Sequence, residues 1–338
     1  MKRIGLIDVD GHNFPNLPLM KLSAWHKAHG DSVEWYQPLF SGHMDRVYMS
    51  KVFSFTPDYP YYIDSTEIIG GGGGYAIDSE DGKEVFYPER DHNLPDEIEH
   101  IYPDYSLYPQ YENAAYGFMT RGCPRGCDFC IVGDKEGRKA RTVAPLEEFW
   151  HGQKNIVLLD PNPIAVPDWK QNLQQLIDSK SSVDFTQGID IRMMTGEKAE
   201  YIRQIKVKSV HFAWDRYADK GMIVPKLRTF KEVTGWHRSK MVVYVLTNYD
   251  TSIEQDLERI YTIRKLGYSP DVRIYEKYLL PKGHLLRKLQ RYVNSPQIFN
   301  SVKRFEDYEN LTDEQREYVR KISKADSVQN AVQQWDGI

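Results

Sequence analysis

The chain has only three cysteines in 338 residues, and all of them lie within one eight-residue stretch. Three thiols cannot all pair, and their clustering argues against a disulfide framework, so we expect a reducing, cytoplasmic location. No apolar run approaches the ~20 residues that span a bilayer, which predicts no membrane partner. The first eight residues end in an acid and are typical of a first strand, not of a signal peptide.

The chain also lacks an excess of positive charge. Its 44 Lys and Arg are outnumbered by 48 Asp and Glu, giving a formal net charge of −4, so no global field gathers nucleic acid. A local basic rim surrounds the cysteines and is either a solvated face or an anion site, which leaves a nucleic-acid partner open. The rim consists of Arg121, Arg125, Arg138, Lys139 and Arg141.

What is present is the stretch Cys-Pro-Arg-Gly-Cys-Asp-Phe-Cys, which contains Cys123, Cys127 and Cys130. Three thiolates on one short loop can hold three corners of a cubane iron–sulfur cluster and leave the fourth iron without a protein ligand. Zinc held by these thiolates and a histidine is the alternative. Zinc sites usually take their ligands from pairs of residues that are close together in the sequence. The nearest histidines, His100 and His151, are far from the cysteines in the sequence.

Residues 1–80 alternate short apolar strands with a helical segment, a pattern that predicts an α/β unit with a parallel sheet. Five consecutive glycines, 70–74, either let the backbone approach a ligand closely or form a flexible turn. The predicted elements are the strands Arg3–Val9, Ser32–Tyr36, Asp45–Ser50 and Thr66–Ile69, and the helix Leu17–His29.

Residues 81–112 lack a clear period and are predicted to form a connector with turns. Residues 113–300 contain six strand–helix units, which predict an open or partial (β/α)6 barrel, and residues 301–338 a short helical C-terminal tail. The predicted strands are Tyr116–Thr120, Asn155–Leu159, Val183–Phe185, Val210–Ala213, Met241–Leu246 and Val272–Tyr275. The predicted helices lie near Leu146–Gln153, Trp169–Ser179, Glu197–Ile205, Lys220–Val233, Ile253–Leu266 and His284–Tyr292.

The cysteine spacing resembles the signature of the radical S-adenosylmethionine (SAM) family, CxxxCxΦC, with Phe129 at the aromatic position and the motif directly after the first predicted barrel strand. The resemblance extends over most of residues 113–300. It implies a TIM-like barrel with a [4Fe–4S] cluster on the three cysteines and SAM chelated at the open iron. One-electron reduction would cleave SAM to methionine and a 5′-deoxyadenosyl radical that abstracts hydrogen from a substrate. The substrate is unidentified, and an electron donor such as flavodoxin or ferredoxin is implied.

The resemblance also suggests residues that bind SAM. Asp160 and Asn162 stand at the tip of the second strand, where the family places groups that receive the methionine amino group; the common Gly-Gly-Glu is absent, and a helix or turn cap is the alternative. Asp190 and Arg192 alternate with isoleucines, so on a strand both would face the lumen and serve the SAM carboxylate or form an ion pair.

Further positions follow by analogy with the family. Val245 and Leu246 are expected to cradle adenine. Asp215, Asn248 and Tyr275 lie at predicted strand ends and are possible substrate-pocket residues. No catalytic residue on the substrate side is assigned.

The amino-terminal unit resembles the Rossmann-like, cobalamin-binding-type domain that precedes many radical SAM barrels. Asp10 to Pro15 matches part of a DxHxxG loop, which makes His12 a possible cobalt ligand, although Pro15 replaces the glycine. The alternatives are therefore a cobalamin-dependent radical SAM methyltransferase and, in another class, a zinc-stabilised nucleic-acid-binding module. A polar cluster that caps a turn also explains the loop.

Overall fold

The structure, a computed structural model, describes residues 1–80 and 83–332. The chain is mixed α/β with several parallel sheets, which confirms the α/β class that the sequence predicts. It divides into two compact units, Met1–Val183 and Asp184–Ile338. No helix in the described part of the chain has the length and apolarity needed to cross a bilayer.

The first unit begins with a four-stranded parallel sheet in the order β2–β1–β3–β4. Apolar side chains of β1 and α1 pack together in its core, and the Asn16 side chain caps α1 by accepting the Leu19 N–H at 3.3 Å. All five elements predicted for residues 1–80 are confirmed to within two residues. They are β1 (Arg3–Asp8), α1 (Leu17–Ala28), β2 (Ser32–Trp35), β3 (Arg46–Ser50) and β4 (Ile68–Gly71).

The predicted connector contains more regular structure than expected. After α2 (Gly73–Ala76), β5 (Ile77–Glu80) pairs antiparallel with β6 (Lys83–Phe86), and α3 (Asp96–Glu99) follows. The prediction of turns alone is therefore wrong for β6. Tyr108 near the end of this segment is fully buried, and its hydroxyl donates to Asp8 Oδ2 at 2.7 Å.

The remainder of the first unit contains the cysteines. β10 pairs in parallel with β7, and β8 pairs antiparallel with β9. The Ser182 N–H donates to the Lys154 carbonyl at 3.0 Å where β11 begins, and the division between the units falls within β11. The elements are β7 (Ala114–Gly117), β8 (Thr120–Arg121), α4 (Val132–Lys135), β9 (Arg141–Thr142), β10 (Asn155–Leu158), α5 (Trp169–Ser179) and β11 (Ser182–Phe185).

The helix predicted near Leu146–Gln153 is wrong, because only a 3-10 turn, Leu146–Glu148, forms there. Phe149 leaves helical geometry, with φ −132°, and its ring packs on Gly117, where a Cβ atom would lie 2.3 Å from Phe149 Cγ. The Tyr105 hydroxyl also donates to the Phe149 carbonyl at 2.8 Å. Tertiary packing therefore overrides the local helical pattern.

The second unit contains a three-stranded parallel sheet with β13 in the centre, between β12 and β14. Phe212, Phe230 and Tyr268 pack edge to face in its core. The predicted strands and helices of this unit are confirmed, including α7 in spite of Pro225. The elements are α6 (Gly196–Gln204), β12 (Val210–Ala213), α7 (Lys220–Thr234), β13 (Met241–Thr247), α8 (Ile253–Lys265), β14 (Ser269–Ile274), α9 (Leu285–Asn294), α10 (Pro296–Ser301), α11 (Asp313–Ile322) and α12 (Asp326–Val332).

Candidate metal centre

The cysteines lie in the loop of a hairpin closed by β8 and β9. Thr120 at the start of β8 is fully buried, which fixes the base of the hairpin in the core of the first unit. Within the loop, the Cys123 N–H donates to the Gly137 carbonyl at 3.1 Å. The predicted strand Tyr116–Thr120 differs from the structure, because the parallel strand β7 ends at Gly117 and the cysteines follow the short antiparallel strand β8. The hairpin still extends from the carboxyl end of β7, where ligand sites commonly form in α/β proteins.

Gly122 is required by the geometry of this hairpin. Its φ is +79°, and a Cβ atom there would lie 2.4 Å from the Lys139 carbonyl oxygen. Any side chain would therefore add both left-handed strain and a clash with the opposite strand. The residue before Cys123 is a glycine for a steric reason.

Asp160 follows β10 and fixes the start of the hairpin. Its carboxylate is 2% exposed; Oδ1 accepts the Met119 N–H at 2.9 Å, and Oδ2 accepts the Thr120 N–H at 2.8 Å and the Thr120 hydroxyl at 2.6 Å. Burial raises the pKa of Asp160 to about 6, against the lowering effect of the three donors. Both oxygens are engaged, so Asp160 acts as a cap for β8, the alternative that the sequence left open.

Asn162 lies beside the first cysteine. Its side chain is 1% exposed, and its Nδ2 is 3.6 Å from Cys123 Sγ, while Oδ1 is buried without a hydrogen-bond partner. A thiolate only accepts hydrogen bonds, so the amide directs its NH₂ group at the sulfur. The buried Oδ1 then has capacity to accept from a bound donor such as an ammonium group.

None of the three cysteines forms a disulfide, and Cys130 is exposed while Cys123 and Cys127 are half-buried. The Cys130 N–H donates to the Cys127 carbonyl at 3.0 Å. Among residues 1–80 and 83–332, no group of three or more His, Cys, Asp and Glu side chains is arranged to hold a metal ion. The donor chemistry fits an iron–sulfur cluster, because three thiols share one short loop and Cys123 already receives a side-chain N–H. Phe129 is half-buried in the same loop.

Part of the basic rim is neutralised by Glu136, a residue that the sequence analysis missed. Its carboxylate accepts Arg121 Nη1 at 2.8 Å and the Gly122 N–H at 3.0 Å, and its carbonyl accepts Arg141 Nη1 at 3.0 Å. The Arg121 guanidinium also lies 3.3 Å from the centre of the Phe118 ring. Arg121 and Arg141 are therefore structural parts of the hairpin. No spacing rule identifies which acid meets these cations, so only the fold could reveal Glu136.

The loop after β1 is tied to the loop after β3. The Asp10 carboxylate accepts the Val52 N–H at 2.5 Å and the Thr56 hydroxyl at 2.6 Å, which is the behaviour of a turn-capping group. His12 packs edge-on against Trp35, with ring centroids 4.3 Å apart, and burial lowers the pKa of His12. Its ring nitrogens make no hydrogen bond within the described residues.

The glycine run approaches other backbone closely. Gly72 has φ +99°, and a Cβ atom there would lie 2.3 Å from the Lys51 carbonyl oxygen; the Gly74 N–H donates to the same oxygen at 2.9 Å. At Gly73 a Cβ atom would meet the ammonium of Lys135, on α4 beside the cysteine loop. The glycines thus permit tight packing within the first unit.

In the second unit, Asp190 and Arg192 are neighbours but are not on a strand, so that prediction is wrong. Gly188, with φ +80°, turns the chain, and Asp190 caps a 3-10 turn, Ile191–Met193, by accepting the Arg192 N–H at 3.0 Å. Arg192 Nε donates to Asp190 Oδ1 at 2.8 Å, and Arg192 Nη1 lies 3.5 Å from Asp219 Oδ2. Asp190 and Arg192 therefore form an ion pair, which is the structural alternative to binding SAM.

Val245 and Leu246 point to opposite faces of β13. Val245 is fully buried and Leu246 is half-buried, so only Leu246 has surface to offer a ligand within this unit. The Leu246 carbonyl accepts Arg259 Nη2 at 2.7 Å, and Arg259, itself fully buried, also donates to the Asp215 carbonyl at 2.7 Å. Arg259, missed by the sequence analysis, therefore holds the carboxyl ends of β12 and β13 together.

The three possible pocket residues differ in their surroundings. Burial raises the pKa of Asp215 to about 6, opposed by the nearby Arg192 and Arg259. Asn248, with φ +64°, donates from Nδ2 to the Tyr275 carbonyl at 2.9 Å. The structure therefore brings Asn248 and Tyr275 together at the carboxyl ends of β13 and β14.

No protein-family model matches the chain, and no curated protein is significantly similar to it in sequence. The functional argument therefore rests on the residues and their geometry.

Proposed function

We propose that this chain is a radical SAM enzyme, in which Cys123, Cys127 and Cys130 ligate a [4Fe–4S] cluster. The observation that carries the proposal is the CxxxCxxC loop itself, held in a hairpin that follows the parallel strand β7 and has its base fixed by Asp160. The finer architecture that goes with this function is a Rossmann-like sheet followed by a partial (β/α)6 barrel. A cytoplasmic location and a flavodoxin or ferredoxin as electron donor belong to the same proposal.

When bound, the cluster supplies one electron to SAM, whose S–C5′ bond breaks to give methionine and a 5′-deoxyadenosyl radical that takes hydrogen from the substrate. The chain's own groups hold and tune this centre. The thiolates provide three ligands, Asn162 donates its N–H to Cys123 Sγ, and Asp160 keeps β8 in place through three hydrogen bonds. Glu136 forms an ion pair with Arg121 beside the loop.

The two predicted contacts to the SAM amino group now differ in suitability. Asp160 uses both oxygens within the fold, whereas Asn162 keeps one buried, unused acceptor. Asn162 is therefore the better group for the ammonium, with Asp160 as a positioning residue. Asp190, Arg192 and Leu246 stay predicted SAM contacts in the second unit, and Val245, whose side chain is fully buried, stays one through its backbone alone. Arg192 would have to release or share its bond to Asp190.

The test is anaerobic reconstitution of the full chain with iron and sulfide. We expect about four irons and four sulfides per chain, a spectrum that SAM perturbs, and 5′-deoxyadenosine after reduction with dithionite. Cys127→Ala should lose both the intact cluster and SAM cleavage. Asp128→Ala, an exposed position in the same loop, is the matched control and should retain them.

Elemental analysis of the same samples separates the alternatives. One zinc per chain without iron or sulfide, in well-folded protein, would contradict the proposal and favour a zinc-stabilised module. The alternative of a corrinoid-dependent enzyme rests on His12, whose ring packs against Trp35 and whose nitrogens make no hydrogen bond in the described part of the chain. Titration with hydroxocobalamin tests it: tight binding that His12→Ala alters supports this alternative, and no binding removes it.

A further inference from the structure

The second unit has a basic cavity that the proposed function does not use. It lies beside the loop after β14 and along one face of α9, with a volume of about 540 Å³. Its lining includes four cationic side chains and no carboxylate. These cations are Lys277, Lys282, Arg287 and Arg291. The whole chain has a net charge of −4, so this local concentration of positive charge does not follow from its overall composition.

The cations of this basic cavity are not consumed by the fold. Three of these side chains make no hydrogen bond or ion pair within residues 1–80 and 83–332; they are those of Lys277, Lys282 and Arg291. Arg287 donates from Nε to the Leu280 carbonyl at 2.9 Å and from Nη2 to the Lys277 carbonyl at 2.7 Å, so it shapes the loop while its charge meets no acid. The stretch 277–295 contains five Lys and Arg and no Asp or Glu. Four like charges around one cavity favour an anionic occupant.

The helix on one side of the basic cavity, α9, is packed against the second unit. Leu286, Leu289 and Val293 bury the opposite face of α9, and two side chains on the cavity side bind the last strand. Gln290 Nε2 donates to the Val272 carbonyl at 2.9 Å, and Asn294 Oδ1 accepts the Val272 N–H at 2.7 Å. Arg287 and Arg291 therefore project from a helix that is packed against the last strand.

The size of the cavity and one aromatic side chain indicate which anion fits. The basic cavity is an open depression on the surface, and its volume leaves room for more than one phosphate group. Tyr278 follows the lining residue Lys277 in the sequence and is not itself part of the lining; it is 68% exposed and offers a ring on which a base can stack. Phosphate contacts beside an exposed aromatic ring are the features by which proteins bind single-stranded nucleic acid.

We propose that the basic cavity at Lys277, Lys282, Arg287 and Arg291 binds the phosphate backbone of a single-stranded nucleic acid, with Tyr278 stacking on a base. The proposal does not rest on the cysteine loop, and the assay below needs no cluster. It is distinct from the rim of the cysteine hairpin, where Glu136 and the hairpin backbone bind Arg121 and Arg141.

The test is fluorescence anisotropy of the full chain with labelled 12-nucleotide oligo(U) and oligo(dT) over a range of salt concentrations. We expect saturable binding that weakens with salt. Lys282→Gln/Arg291→Gln should weaken binding about tenfold. The slope of the logarithm of the binding constant against the logarithm of salt concentration should become shallower by about 1 for each phosphate that is no longer neutralised. Tyr278→Ala should weaken binding about tenfold without changing the slope. Lys206→Gln/Lys208→Gln removes the same charge from exposed positions of the same unit and should change neither.

Other occupants are outcomes of the same assay. Binding of pyrophosphate or of phosphatidylcholine–phosphatidylserine vesicles, abolished in Lys282→Gln/Arg291→Gln, with no binding of either oligonucleotide, would overturn the strand proposal. Equal weakening by Lys206→Gln/Lys208→Gln would also overturn it, because it would show that binding follows net charge and not this cavity. Circular dichroism of each variant establishes that the fold is retained.

Discussion

The side-chain nitrogen of Asn162 lies 3.6 Å from the sulfur of Cys123, inside the first unit. An N–H directed at a ligand sulfur stabilises the added negative charge when an iron–sulfur cluster is reduced. In the proposed enzyme, Asn162 would therefore tune the cluster as well as being a candidate SAM ligand. The contact can also be tested through the reduction potential of the cluster, a measurement that does not depend on turnover.

Asn162→Leu removes this hydrogen bond and should lower the reduction potential of the reconstituted cluster. The change should be tens of millivolts, since a one-electron couple moves by about 59 mV for a tenfold change in equilibrium constant. The potential is measured by redox titration followed by electron paramagnetic resonance. Asn172→Leu is the control, because Asn172 is also buried but donates to Thr142 Oγ1. An unchanged potential in Asn162→Leu, in a sample with a full cluster, would refute the tuning role and leave the cluster proposal standing.

Gly122→Ala should impair the cysteine hairpin. Gly122 and Gly137 both have positive φ, but a Cβ atom at Gly122 would lie 2.4 Å from the Lys139 carbonyl oxygen, and at Gly137 nothing lies within 4 Å. Both variants incur the cost of left-handed geometry, about 1 kcal/mol; only Gly122→Ala adds the clash. Iron content after reconstitution and the midpoint of urea unfolding should fall further in Gly122→Ala. Equal losses in the two variants would show that the clash is relieved at no cost.

Asp160→Asn should loosen the base of the hairpin. The amide has one acceptor oxygen for three donors and places its own NH₂ against a backbone N–H, at a cost of about 1–3 kcal/mol. Hydrogen exchange of the amides of Met119 to Cys123 should accelerate. The exposed Glu147→Gln serves as the control and should leave exchange unchanged. Unaltered protection in Asp160→Asn would remove the positioning role assigned to this carboxylate.

Asp8→Asn should alter the pH dependence of stability. Burial raises the pKa of Asp8 from 3.8 to about 6, so the folded state binds its proton more tightly than the unfolded state does. The contribution of Asp8 to stability is therefore most favourable below pH 4 and declines as pH rises towards 6. Asn stays neutral and can still accept from the Tyr108 hydroxyl.

The variant should gain stability over the parent as pH rises from 4.5 to 7.5, by about 1–2 kcal/mol after discounting for solvent screening. Urea unfolding across this range measures the difference. Glu112→Gln, at an exposed position, should show no such trend. A difference that stays constant with pH would contradict the account.

Most strands were predictable because their residues are strongly apolar and bounded by turn formers. β12 and β13 match their predicted bounds to within one residue. The segment 146–153 was not predictable, because the packing of Phe149 on Gly117 joins residues distant in sequence. The turn at Asp190 was missed because alternation with isoleucines imitates a strand, whereas Gly188 and the Asp190 cap reverse the chain.

Within the candidate site, spacing alone identified the cysteines, since a short loop brings its own residues near one another. Spacing did not distinguish the saturated Asp160 from Asn162, which retains an unused acceptor, because hydrogen-bond partners come from other strands. The basic cavity has a signal in the sequence, the absence of acids from residues 277–295, but charge alone does not show that a cavity forms there.

The cysteine hairpin is closed by only two pairs of residues, between β8 and β9. So short a ladder opens locally at a small fraction of the free energy that unfolding the sheet requires. In the proposed enzyme, such opening would present the three thiols to a carrier of iron and sulfide while the strands beneath keep their register. Maturation of the centre would then be a property of one loop and would demand no refolding of the protein around it.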